Sequence, residues 1–285
     1  MYSVDQIKIL TITALLSDEE LMATLVLKGG NALDLAYSLS SRASMDVDFS
    51  MNGDFSAHEL QRIQEQSEAI LNSEFNKAGL NVFDVTLLER PEIINEEVKE
   101  FWGGYKLEFK VIDCATFEKY KPNISQLRNR AIIIDGKSPK FHVDISKYEF
   151  VKDQQLKDID GTVVRVYSPE MLALEKVRAL CQQNPGYADI IKSNNRKSRA
   201  RDFYDIHNLI TSFDIDFTVP RIKELAYNIF NAKFVPLDYI SQLPDQYEFH
   251  RQSWESVRAT VNAVETLEEF DFYYEFVIDN ANRLL

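Results

Sequence analysis

Residues 25–51 read "LVLKGGNALDLAYSLSSRASMDVDFSM", and this stretch decides the fold. An apolar run ends in Lys28 and is followed at once by Gly29 and Gly30, in a chain that holds nine glycines. A short helical segment comes next, and then Asp46 and Asp48 alternate with Val47 and Phe49. Glycines at a strand-to-helix turn let backbone approach an anion closely, and a helix start offers free N–H groups to phosphate oxygens. On a strand, residues two apart share a face, so Asp46 and Asp48 point together and Val47 points away. Two like charges on one face favour a hard cation such as Mg²⁺, which takes one or two carboxylates plus phosphate oxygens. A lone Asp-x-Asp is most often a solvated turn, and a lone Gly pair is a routine turn. Together, in this order, they pair a phosphate cradle with a metal cradle. Asn31 is placed to cap the helix that follows the glycines.

Working outward, residues 3–22 read as helix, 24–28 as a buried strand, 31–40 as helix, 45–50 as strand and 57–77 as helix. Strand-like runs follow at "NVFDVTLLE", "YKLEFKVI", "AIIID", "KFHVDIS" and "TVVRVY". The "GKSP" between the third and fourth of these reads as a hairpin turn. After Tyr167 the style changes. Ser168-Pro169-Glu170 is a strong helix start, and helices are expected at 169–183, 200–211, 219–232, 253–263 and 265–281. The chain therefore divides at 167/168, into an α+β part (1–167) and a helical part (168–285). The aromatic run "FDFYYEF" at 270–276 reads as helix-packing core.

Bulk properties bound the function. The 285 residues are 45% hydrophobic and 27% charged, as in an ordinary globular protein. No apolar run approaches the roughly 18–20 residues of a membrane helix. The opening "MYSVDQIKIL" lacks the pattern of a signal peptide, so the expectation is a cytoplasmic protein. Cys114 and Cys181 suggest neither a disulfide framework nor a zinc site. A net charge of −13 argues against a generic nucleic-acid coat, although "IKSNNRKSRARD" gathers Lys192, Arg196, Lys197, Arg199 and Arg201 in one local basic run. His58, His142, His207 and His250 form no metal-ligand spacing, and there is neither a G-x-S-x-G elbow nor a P-loop.

These motifs carry a resemblance. Lys28-Gly29-Gly30-Asn31, then Arg42-x-Ser44-x-Asp46-x-Asp48, resembles the first motif of the nucleotidyltransferase superfamily that includes DNA polymerase β. More specifically, it is similar to the AbiEii/AbiGii toxin family of abortive-infection and toxin–antitoxin systems. A second block supports this: Lys176 within "SPEMLALEKVRALCQQ", then Arg199 and Arg201-Asp202-x-x-Asp205 in "RKSRARDFYDIHNLI". The chain departs from the pattern in having Asn31 where the family commonly has Thr or Ser.

The resemblance implies a polymerase β-like nucleotidyltransferase fold, a mixed sheet covered by helices, with a helical C-terminal domain and the nucleotide in the cleft between. It implies a Mg²⁺-dependent nucleotidyltransferase that serves in phage defence. A third carboxylate is expected from a later strand. Asp144 in "KFHVDISKY" is the first candidate, ahead of Asp84 and Glu108. Asp46, Asp48 and Asp144 then hold metal, Lys176 binds donor phosphates, and Asp202 orients Lys176 or an arginine. Lys28, Gly29, Gly30, Asn31, Arg42, Ser44 and Arg199 line the nucleotide. The donor is GTP or another NTP, the acceptor an RNA such as tRNA, and the partner an antitoxin encoded alongside that need not form a stable complex. Transfer to a protein or small molecule is the rival within enzymology. A nucleotide-binding interaction protein without catalysis is the rival outside it.

Overall fold

The computed structural model describes residues 3–39, 46–133, 138–192, 195–261 and 267–285. The chain opens with α1 (Val4–Ser17) and α2 (Glu19–Thr24). One helix was expected here, but Asp18 breaks it: its extended backbone ends α1 while its carboxylate accepts from the N–H groups of Glu20 and Leu21 to cap α2. Strand β1 (Val26–Lys28) leads into a short helical turn, α3 (Gly29–Asn31), which continues as a π-helical turn through Ala36. Then come β2 (Val47–Ser50) and the long α4 (Ala57–Lys77), whose Ser56 and Glu59 form a reciprocal capping box.

Strands β3 (Leu80–Arg90) and β4 (Gly104–Asp113) are followed by α5 (Cys114–Tyr120) and α6 (Ile124–Arg128), then β5 (Lys140–Ser146), β6 (Gln155–Ile159) and β7 (Thr162–Val166). They form one seven-stranded mixed sheet in the order β3-β4-β5-β2-β1-β7-β6. β2 is central. It runs parallel to β5, with Asp48 beside Asp144, and antiparallel to β1, with Lys28 beside Asp48. On the other side of β5, Lys106 of β4 stands beside Asp144. Alternation sends Val47, Phe49, Val143 and Ile145 into the core, where α1 and α4 cover the sheet. The rings of Phe75, Phe109 and Phe141 pack there in sequence, with centroids 6.0 and 5.3 Å apart.

Two expectations fail around β5. The run at 131–135 forms no strand among its described residues, 131–133, and no hairpin into β5 is found among the described residues. Ile132 instead donates its N–H to the carbonyl of Val111, and Ile133 is exposed. β5 takes its partners from β2 and β4, and both of its edges are full. The edge strand β6 was not anticipated. Its hairpin with β7 turns at Asp160-Gly161, both with positive φ.

The helical half begins with α7 (Pro169–Cys181), capped by Ser168 as expected, and α8 (Ala200–Phe213), α9 (Pro220–Asn231) and α12 (Phe270–Asn282) follow. A 3-10 helix (Leu237–Gln246) leads into α10 (Tyr247–Arg251), and α11 (Trp254–Arg258) is shorter than expected. The aromatic run of α12 is packing core: Phe270 meets Phe203 at 5.3 Å and Trp254 at 5.6 Å. α7 packs on both α8 and α9, and its other side faces the sheet across a cleft.

Candidate active site

The cleft has a volume of about 960 Å³. Its floor is the polar face of β4, β5, β2 and β1, where Lys106, Asp144, Asp48 and Lys28 form one row in register. Asp46 stands just before β2, and it also lines the cleft. Gly29 closes the row. Its φ of +67° is a left-handed conformation that L-residues avoid, and a Cβ built on it would stand 2.5 Å from Asp48 Oδ2. The glycine turn and the carboxylate are thus in direct contact, which accounts for the first glycine of the pair.

Asn31 does not have the expected role. The helical turn begins at Gly29, and no side chain caps it. Asn31 is wholly buried inside the turn, and its Nδ2 donates to the carbonyl of Asp46 at 2.6 Å. Its amide therefore ties the glycine turn to the start of β2 rather than facing a ligand. Arg42 and Ser44 lie outside the described residues.

Asp48 has an unusual charge environment. Burial, reinforced by Asp144, Glu175 and Asp46, pushes its carboxyl up to about 7, against the pull of Lys28. Lys28 does little more to relieve it, because its ammonium is engaged elsewhere: it donates to Glu175 at 2.6 Å and to Ser146 Oγ at 3.0 Å. Burial disfavours that ammonium, but Glu175 and Glu149 outweigh it and hold the amine above the ordinary lysine range. Asp144 is met by Lys106 at 3.6 Å. Among the described residues no three His, Cys, Asp or Glu side chains converge as a preformed cage. Mg²⁺ does not require one, since it keeps several waters and takes substrate oxygens. An acidic pair on adjacent strands, with one carboxyl pushed up by burial and by its acidic neighbours, suits a divalent cation in donor chemistry.

The opposite wall is helical. Lys176 Nζ reaches Asp202 Oδ1 at 3.1 Å and Asp205 Oδ2 at 2.7 Å, so Lys176 has a second carboxylate beyond the one expected. Burial opposes its charge, but Asp205 and Asp202 together raise the amine well above its usual range, leaving it an ammonium at any working pH. Asp202 is also held by the Arg199 guanidinium. Burial would raise its carboxyl, yet Arg199 and Lys176 bring it far below the usual range. Lys176, Arg199 and Asp202 line the same cleft as Asp46, Asp48 and Asp144. Asp84 and Glu108 do not. Asp84 sits at a bulge of β3 and is bound by Arg128 and Lys110, and Glu108 pairs with Lys140 and lies 3.2 Å from His142.

The sequence reading missed a buried ionic layer between the two walls. Arg178 of α7 makes a paired contact with Glu149, at 2.7 and 3.2 Å, and Lys233 lies 3.7 Å from the same carboxylate. Arg178 also lies 3.5 Å from Glu175, joining this layer to Lys28. Burial, partly offset by Glu149, pulls the Lys233 amine down to about 8. Glu175, adjacent to Lys176 in "ALEKVRAL", was the one member a closer look at the helix could have found. Glu149 and Lys233 carry no local signal, because they meet only through the tertiary fold.

A family model described as the AbiEii nucleotidyl transferase toxin of type IV toxin–antitoxin systems matches residues 11–276. Among solved structures, JHP933 from Helicobacter pylori is 17% identical with a TM-score of 0.45, covering 96% of this chain and 88% of that one. A second Helicobacter pylori protein is 16% identical with a TM-score of 0.47, covering 98% and 93%. MenT4, a nucleotidyltransferase toxin from Mycobacterium tuberculosis, is 12% identical with a TM-score of 0.43, covering 99% and 82%. No curated protein matches. Similarity to the three structures is loose, and the family model alone places the chain.

Proposed function

The chain belongs to the AbiEii nucleotidyl transferase toxin family of type IV toxin–antitoxin systems, and from that premise we propose that it transfers a nucleotide from an NTP to an acceptor hydroxyl on RNA, tRNA being the first acceptor to test and GTP the first donor. The observation that carries this reading is the contact between the Gly29 turn and Asp48, with Asp144 beside it in register. That arrangement sets a backbone turn able to approach phosphate directly against carboxylates able to hold a cation.

Asp46, Asp48 and Asp144 are the residues that would hold Mg²⁺. When bound, the ion supplies charge neutralisation at the triphosphate and activation of the attacking hydroxyl. In the reaction the acceptor oxygen bonds to the α-phosphorus, and the bond from that phosphorus to the bridging oxygen breaks. Pyrophosphate leaves with the electron pair, and the hydroxyl proton passes to water or a carboxylate. The Gly29-Gly30 turn admits the triphosphate close to the main chain. Lys176 presents a fixed ammonium whose position is set by Asp202 and Asp205, so it acts as a point charge on phosphate oxygens. Arg199 adds a planar donor at the same wall. As a type IV toxin, the chain has an antitoxin counterpart that opposes its effect without needing to bind it.

The test is incubation of the purified chain with labelled NTPs, Mg²⁺ and total RNA, with protein and small molecules as parallel acceptors. Label on RNA supports the reading. Label confined to protein or small molecules would leave the transferase and remove the RNA acceptor.

A further inference from the structure

The glycine pair at 29–30 has a counterpart on the far side of the cleft, in Trp102-Gly103-Gly104-Tyr105. Gly103 has a φ of +111°, and a Cβ there would stand 2.8 Å from Ile94 Cδ1. A Cβ on Gly104 would stand 2.3 Å from the carbonyl oxygen of Ile145 on β5. The backbone is therefore pressed against its neighbours where no side chain fits, and Trp102, half-buried, lines the cleft just before it. The indole is held by its neighbours: Tyr187 lies 6.3 Å away between ring centroids, and Lys233 Nζ lies 5.8 Å from the ring centre.

We infer that Trp102 is the stacking platform for the nucleobase of the donor NTP, a base-binding subsite that rests on the transferase reading above. Strand register gives the order of parts along the cleft. The Gly29-Gly30 turn follows the end of β1 where Lys28 pairs with Asp48, beside the start of β2. The Asp48–Asp144 row comes next. On β4, Lys106 stands in that row, and Gly104 stands two residues further, beside Ser146. Trp102 is four residues from Lys106, at most about 13 Å along an extended chain. A triphosphate at the glycine turn with its α-phosphorus at the carboxylates thus directs its sugar and base toward Trp102, at a reach that a nucleotide spans. Among the described residues lining the cleft, the other aromatic ring is Tyr105. It is almost wholly buried, packs on Phe55 at 5.3 Å, and has its hydroxyl bound by Asp54, so it is not available to stack. Every base has a π-face, so Trp102 supplies affinity for a base without choosing among bases.

The chain has two tryptophans, and Trp254 is buried away from the cleft against Phe270 and Tyr273. In a Trp254→Phe background, Trp102 emission should change on titration with ATP or GTP in the presence of Mg²⁺, and not with inorganic tripolyphosphate. By calorimetry, Trp102→Ala should weaken NTP binding roughly five- to a hundred-fold, as loss of one base–aromatic stack does. Tripolyphosphate binding should be unchanged, and Trp102→Phe should retain most of the NTP affinity. NTP binding with unaltered Trp102 emission overturns the inference while leaving the transferase reading intact. So does a folded Trp102→Ala chain that raises only the KM for the acceptor. Absence of both NTP and tripolyphosphate binding overturns the inference and the transferase reading together.

Discussion

Replacing Asp48 by Asn should stabilise the metal-free protein at alkaline pH while abolishing nucleotide transfer. The Asp48 carboxyl is pushed from 3.8 up to about 7, chiefly by burial, with Asp144, Glu175 and Asp46 adding to it. A raised carboxyl pKa means that the folded state holds this proton more tightly than the unfolded chain. Stability from this group is therefore greatest below pH 4, falls as pH rises from 4 to 7, and stays low above 7. At 1.36 kcal/mol per unit, a shift of about three units sets an upper bound of about 4 kcal/mol on the penalty at pH 8. That net figure already includes the attraction to Lys28, and with relaxation and water entry around the buried carboxylate about half of it should be recovered by Asn. For a chain of this size about 2 kcal/mol corresponds to a rise in Tm of roughly 3–4 °C. Thermal melts without metal should show that gain at pH 8, a smaller gain at pH 5, where the unfolded chain has already lost this proton, and near-equality of the two proteins only below about pH 4. Mg²⁺ should raise the wild-type Tm at pH 8 and do so much less in the variant. An Asn variant that melts at or below wild type at pH 8 would refute the reasoning.

Other perturbations give distinct outcomes. Gly29→Ala should cost about 1–3 kcal/mol in denaturant unfolding from its positive φ and should remove transfer, because the new Cβ displaces the Asp48 carboxylate; full activity in this variant would argue against the contact. Glu149→Ala leaves Arg178 and Lys233 buried without their shared counter-charge, and it should destabilise the protein by about 3–5 kcal/mol in the same assay. Lys176→Ala should weaken NTP binding in calorimetry and lower Tm, since the Asp202 and Asp205 carboxylates then lose the ammonium between them. Lys176→Arg should restore NTP binding only in part, because a planar guanidinium does not occupy the same point.

Strands whose alternation was bound to chemistry were legible in the sequence. "MDVDFS" and "KFHVDIS" declared both their faces and the carboxylates that line the cleft, and β5 begins and ends where the alternation does. Helix α4 was legible from its apolar spacing at Leu60, Ile63, Ile70, Leu71 and Phe75, and the Ser168 cap of α7 from its hydroxyl and the Pro in the first turn. What pattern could not supply was pairing. The apolar run at 131–135 resembles a strand as much as β5 does, but β5 has no free edge left for it. Asn31 read as a cap because amides cap helices, yet the carbonyl of Asp46, which the chain brings back fifteen residues later, claims it instead. Glu149 and Lys233 are single charged residues on separate elements, and their meaning arises only when Arg178 is buried between them. Trp102 carries no local signal in the sequence, and only the register places it along the cleft from the carboxylate row.

The most direct measurement is transfer of α-phosphate label from an NTP to total RNA, made with wild type, Asp46→Ala and Asp48→Ala side by side. Each protein should first be checked by circular dichroism and melting. Wild type should label RNA in a Mg²⁺-dependent manner, and both folded variants should give background alone. Wild-type protein that labels no acceptor, or a folded Asp48→Ala chain that labels RNA as well as wild type does, would contradict the account.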